Sequence, residues 1–246
     1  MKLSPMMQQY MDIKKDHEDC ILFFRLGDFY EMFFEDAHVA SRELELTLTG
    51  KNCGQEERAP MCGVPFHAAE TYISRLVERG YKVAICEQVE DPATAKGIVK
   101  RQVVQIVTPG TISSGSMLNE RENNYLASIY LDETGIGFSY CDVSTGEWYV
   151  TEITPEESKE TLYNELARIG IREIILQPDF RDFWELEDLK SSTGAYLTQL
   201  TSSYYQKDGI VRTIFDHFEA QSLTGLGLGE LGCGLFAAGA LLKYLF

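Results

Sequence analysis

The sequence predicts an α/β protein made of two units, and three observations carry that reading. Helical and strand periodicities alternate up to residue 108, as in a mixed-sheet α/β unit. A stretch without periodicity, Pro109 to Asn124, follows. Beyond it three strands come in a row before the next helix. A chain of 246 residues suffices for one large domain or two ordinary ones, and 44% hydrophobic residues can fill their cores.

Ser4-Pro5 supplies a capping hydroxyl and a proline at the first helical position, with Met6, Tyr10 and Ile13 recurring at helical spacing. Cys20 to Leu26 reads as a buried strand and Phe29 to Phe34 as its partner, joined at Gly27-Asp28, a turn signal. Side chains alternate along a strand, so Phe29 and Glu31 share a face and Tyr30 opposes them. Glu35-Asp36 favours the first turn of a helix, whose small packing face is Ala37, Ala40, Ser41 and Leu44. A polar loop is expected from Gly50 to Ala59, and Met61 to Pro65 is short and punctuated. The segment 68–79 carries Ala69, Tyr72, Ile73, Leu76 and Val77 on one helical face, with Gly80 as its stop. Tyr81 to Gln88 is a strand, Asp91-Pro92 turns the chain, and Val99 to Val107 is a further strand.

In the second unit the strands Tyr125–Asp132, Ile136–Asp142 and Glu147–Ile153 are punctuated by Gly135 and by Ser144-Thr145-Gly146. Thr154-Pro155-Glu156-Glu157 is a capping box that starts a helix to about Ile169. Arg172 to Gln177 is a strand, the chain is then less regular, and a helix is expected at 210–219. Cys233 to Phe246 reads as a helix that stops inside its own pattern, from which further protein beyond Phe246 is expected. Three strands followed by a helix and a strand suggest a ribonuclease-H-like topology. Asp142 at a strand end, with Asp132 nearby, could then seed a two-metal carboxylate site. The competing reading is that Asp142 begins a turn and Asp132 ends a strand, both favoured positions for aspartate, and it is preferred because no third or fourth carboxylate stands at a persuasive position.

The net charge of −16 argues against binding nucleic acid by charge alone. It is unevenly spread: residues 1–115 hold 13 Lys and Arg against 17 Asp and Glu, residues 116–246 hold 9 against 21. The acidic second half suits a protein partner better than a phosphate backbone. The start of the chain is no signal peptide, and its most apolar stretch is shorter than the roughly 20 residues that cross a bilayer. Six cysteines without a CxxC pair make a zinc site unexpected and read as reduced thiols, so a cytoplasmic protein without a membrane role is expected. The histidines, His17, His38, His67 and His217, are scattered. Gly50-Lys51 fails as a phosphate-binding loop because Glu45 and Asn52 stand where Gly and Ser or Thr are needed. No catalytic residue, metal site or cofactor is assigned, and the chain is not expected to be an enzyme.

Phe23-Phe24-Arg25-Leu26-Gly27-Asp28-Phe29-Tyr30-Glu31-Met32-Phe33 resembles the mismatch-reading segment of the bacterial MutS family. The likeness continues through Ala59 to Ala68, Val83 to Gln88, Asp91-Pro92 and Ile106 to Thr111. The resemblance implies a mismatch-binding domain at 1–115, a linker at 116–124, a ribonuclease-H-like connector domain at 125–222 and the start of a helical core domain at 223–246. It implies that Phe29 wedges into duplex DNA at mismatches or small loops and that Glu31 hydrogen-bonds the displaced base. Protonated, Glu31 could donate; ionised, it would repel the backbone of well-paired DNA. Lys51, Arg58, Lys96, Lys100 and Arg101 are candidates for phosphate contacts, and Met61 for packing beside the wedge. For the full-length family protein the resemblance implies a homodimer, ATP and Mg in domains absent here, and a MutL-like partner docking on the connector.

Overall fold

The computed structural model describes residues 3–90, 95, 97–112, 123–154 and 158–246. They form two compact units, Met1–Thr108 and Pro109–Phe246. Asp91-Pro92, most of the expected linker and the Pro155 to Glu157 part of the capping box lie outside the described residues.

In the first unit α1 (Pro5–Lys15) starts where expected, with Ser4 Oγ accepting from the Met7 N–H. The strands β1 (Cys20–Leu26) and β2 (Phe29–Phe33) form the hairpin, with Gly27 at φ +56° in the turn. The helix α2 (Phe34–Leu44) leaves β2 directly. The stretch expected to be a polar loop holds the short strand β3 (Thr49–Lys51) and leads into β4 (Ala59–Pro65). A single 3-10 turn, Phe66–Ala68, leads into α3 (Ala69–Glu78), and β5 (Lys82–Gln88) and β6 (Arg101–Val107) complete the unit. The sheet order is β3-β4-β2-β1-β5-β6, antiparallel except for the parallel pair β1 and β5. The pairing of β5 with edge strand β6 slips between Ile85 and Cys86.

One sheet face carries Leu22, Phe24, Phe33, Ala59, Ala84 and Cys86 against Met7 and Tyr10 of α1. On the other face, α2 packs on β4 and α3 on β5. The buried Asp36 is the polar centre of this arrangement. Its carboxylate accepts from the Leu22 N–H at 3.0 Å, the Tyr10 hydroxyl at 3.1 Å and Lys14 Nζ at 2.9 Å. Asp36 thus ties β1, α1 and the start of α2 together where β2 ends. Burial, and then the Asp36 charge, push the Tyr10 phenol well above its ordinary range.

In the second unit β7 (Tyr125–Asp132), β8 (Gly135–Asp142) and β9 (Glu147–Ile153) form the expected meander. The helix α4 (Ser158–Ile169) and β10 (Ile171–Leu176) follow, and β10 lies parallel to β7. The stretch expected to be less regular contains α5 (Leu186–Thr193) and β11 (Tyr196–Gln199), parallel to β10. The resulting order, β11-β10-β7-β8-β9, is that of a ribonuclease-H-like sheet. Phe138, Ile129, Leu162, Leu166, Ile174, Phe180 and Trp184 fill one core.

The unit closes with α6 (Lys207–Phe218) and α7 (Cys233–Leu245). The sequence reading separates residues 223–246 from the connector at 125–222, whereas α7 packs on β7 and β8. Gly137 permits that close approach, and Gly239 permits a second one between α7 and α6. A Cβ on Gly137 would meet the Cys233 carbonyl oxygen at 2.0 Å, and one on Gly239 would meet Ile210 Cγ2 at 2.1 Å. Among the described residues no helix is long and apolar enough to cross a membrane.

Candidate nucleic-acid interface

The tip of the β1–β2 hairpin carries an exposed aromatic ring. Phe29, the first residue of β2, is 47% exposed, while Phe23, Phe24, Met32 and Phe33 around it are fully buried. A single exposed apolar side chain is ordinary on a protein surface; what sets this ring apart is its place at the hairpin turn with Glu31 on the same face. Phe29, Glu31 and Phe33 lie opposite Pro65, Gly63 and Met61 of β4. Period-2 alternation puts the three on one face, which α1 covers at Phe33 but not at Phe29. Glu31 is ion-paired through Oε2 with Lys51 Nζ at 2.5 Å, and Lys51 reaches it past the Phe33 ring, 5.9 Å from Nζ.

Arg25 stiffens the tip from behind. Its Nε donates to the Gly27 carbonyl, its Nη1 lies 3.4 Å from Glu87 Oε1, and its guanidinium stacks 4.0 Å over the Phe66 ring. The Phe66 N–H donates to the Asp28 carbonyl at 2.9 Å, and the Tyr30 hydroxyl donates to Glu87. Burial, and then this bond to Glu87, push the Tyr30 phenol up to about 12. Sequence reasoning had no signal for the Arg25, Glu87 and Phe66 set, whose members are far apart in the chain (62 positions from Arg25 to Glu87) and are brought together by the sheet.

The expected phosphate-contacting residues divide. Arg58 is exposed just before β4, and Lys100 is exposed just before β6. Lys51 is not a free cation, because Glu31 holds it. Lys96 lies outside the described residues. Arg101 is a correction: it is buried, with Nε donating to the Arg25 carbonyl at 2.6 Å, Nη1 to Gln9 and the Val99 carbonyl, and the guanidinium over Phe24. Its register opposite Gln88 turns it toward α1, so it holds the hairpin and does not face solvent. Met61 is likewise moved: it lies opposite Phe33 and Thr49, at the other end of β2 from Phe29, and packs against the α1-covered core.

Comparison with known proteins gives this face its context. A family model described as MutS domain I matches residues 4–116, and one described as MutS domain II matches residues 124–246. The chain belongs to the MutS family. It is 54% identical over 246 residues to the DNA mismatch repair protein MutS of Lachnoclostridium phytofermentans, a match covering 100% of this chain and 26% of that protein. The namesake in Ruminiclostridium cellulolyticum is 52% identical over 244 residues, covering 99% of this chain and 28% of the relative. That of Desulforamulus reducens is 60% identical over 182 residues, covering 74% and 21%. The chain therefore spans about a quarter of the length of the curated relatives it matches.

Within the span of MutS domain II, the two aspartates of the nuclease reading do not meet. Asp142 pairs with Tyr125 at one end of the β7–β8 ladder and Asp132 with Gly135 at the other. Seven rungs separate them, about 23 Å at the usual strand rise. Asp142 is buried and caps its turn, accepting from the Asn124 N–H, the Ser144 N–H and Ser144 Oγ. Asp132 accepts from the Thr134 N–H at 2.7 Å and from Cys233 Sγ at 3.1 Å. Among the described residues no group of three or more His, Cys, Asp or Glu could hold a metal ion. The structure therefore gives the nuclease reading no support.

Proposed function

We propose that the first unit of this MutS-family chain recognises mismatched or unpaired bases in duplex DNA, with Phe29 as the wedge and Glu31 as its polar contact. The observation that carries the reading is the half-exposed Phe29 ring on a braced hairpin, with Glu31 on the same face. It stands beside close relatives whose name is DNA mismatch repair protein. Inserting a ring between base pairs costs roughly a few kcal/mol of unstacking and kinks the duplex. A mispair has already lost part of its pairing and stacking, so deformation there costs less. One site thereby recognises many mispairs, because it reads weakness and not a fixed hydrogen-bond code.

Arg58 and Lys100 are the exposed cations best placed to contact phosphates, with Lys96 a further candidate. In the full-length protein the second unit serves as the connector, offers its acidic surface to a MutL-like partner, and works within a homodimer whose ATPase lies in other domains. This chain itself carries no catalytic step.

The test is Phe29→Ala in the full-length protein, titrated by fluorescence anisotropy against matched and mismatched duplexes. Stacking of one ring on one base is worth about 1–3 kcal/mol, so the preference for the mismatch should fall at least roughly fivefold with circular dichroism unchanged. Equal discrimination by variant and wild type would refute the wedge.

A further inference from the structure

The ion pair between Lys51 and Glu31 bears directly on how the polar contact works. Lys51 is the last residue of a three-residue edge strand, and its ammonium lies 2.5 Å from Glu31 Oε2. The two side chains are 32% and 15% exposed, so the pair is largely withdrawn from water and less screened than a surface pair. Glu31 lies opposite Gly63, where the missing side chain leaves β4 bare beneath the carboxylate. Among the described residues Oε1 receives no hydrogen bond, so it is the oxygen left for a base.

We infer that Lys51 is a positioning residue for Glu31. It fixes the carboxylate through Oε2 and presents Oε1, beside the Phe29 ring, as an acceptor for an N–H of the displaced base. An ion-paired carboxylate accepts and does not donate, so Lys51 also selects which base edges Glu31 rewards. A glutamate without this anchor would lose orientation, and an oriented hydrogen bond adds to the discrimination that the weakened base step already provides. Lys51 thus acts on specificity through Glu31 and is no simple phosphate ligand. The inference rests on the proposed DNA-reading role of this face.

The test is the ratio of mismatched to matched affinity in the full-length protein, because loss of one positive charge near DNA affects both duplexes and cancels in the ratio. Lys51→Met should lower the ratio roughly threefold to tenfold, the scale of one oriented hydrogen bond. Lys51→Arg should keep it within about twofold. In a Glu31→Ala background, Lys51→Met should leave the ratio unchanged while still weakening both duplexes. An unchanged ratio for Lys51→Met, or the same fall in both backgrounds, overturns the inference. If Lys51→Met does not fold, Lys51→Gln provides the same comparison. Failure of the wedge itself is read separately, from Phe29→Ala: discrimination that survives there but depends on Lys51 through Glu31 removes the wedge and keeps the anchor.

Discussion

Removing the Asp36 carboxylate should loosen the base of the Phe29 hairpin, and the structure allows the cost to be worked out donor by donor. Asp36→Ala strands the Leu22 N–H, which sits where β2 no longer reaches β1 and has the carboxylate in place of a ladder partner. A buried unsatisfied amide costs about 1–3 kcal/mol. The Tyr10 hydroxyl falls back on the Phe33 carbonyl at 3.3 Å, a longer bond, for about 1 kcal/mol more. Lys14 keeps the Glu18 and Cys20 carbonyls and adds little. The sum is about 2–4 kcal/mol, or about 8–16 °C in melting temperature for a unit of this size. Trp148 and Trp184 both lie in the second unit, so tryptophan emission follows that unit while far-UV circular dichroism follows both. Asp36→Ala should therefore lower a circular dichroism transition directly, and Asp36→Asn, which retains one acceptor oxygen, should fall between. A loss below about 1 kcal/mol would refute the assignment of Asp36 as the polar hub.

The second unit offers the converse experiment. Gly137→Ala places a methyl against the backbone of Cys233 and should cost at least about 2 kcal/mol, moving the tryptophan transition; Gly146→Ala, with open space around it, should cost only about 1 kcal/mol of left-handed strain. An unmoved tryptophan transition in Gly137→Ala would contradict the contact between α7 and β8. The Tyr30 phenol is raised from about 10 in the unfolded chain to about 12. The stability it contributes is therefore present below pH 10 and is lost as pH rises toward 12. Urea midpoints compared at pH 9 and pH 11 should fall, and Tyr30→Phe should remove part of the fall; identical midpoints would show that burial and Glu87 do not hold the phenol protonated.

Where local pattern and turn chemistry agree, the chain is legible. The β1–β2 hairpin, β7 and β9 emerge from strand-forming runs bounded by turn signals, and Phe29 stands out because a turn places a ring at a strand end. The misses have separate physical causes. The strand β4 carries Pro60, Gly63 and Pro65, residues that usually end strands, and it persists because Pro65 is terminal and Pro60 faces only three-residue β3. The four residues of β11 gain strand form from parallel pairing with β10, which no window of sequence contains. Arg101 and Lys51 look alike as loop cations, and only tertiary register buries one and pairs the other. The separation of Asp132 from Asp142 is readable: the C-terminal ends of successive antiparallel strands lie at opposite ends of their ladder.

The slip between β5 and β6 also governs how this molecule behaves in a crowd of its own copies. A seven-residue edge strand with Val104 57% and Ile106 41% exposed is a template on which a neighbouring chain could add a strand and start an aggregate. The slip leaves Val104 out of register, so the edge presents two short runs on either side of it and no long flat rail. An incoming strand matched to one run is out of step with the other, so the slip guards this edge against strand addition without a charged residue in the middle of the strand.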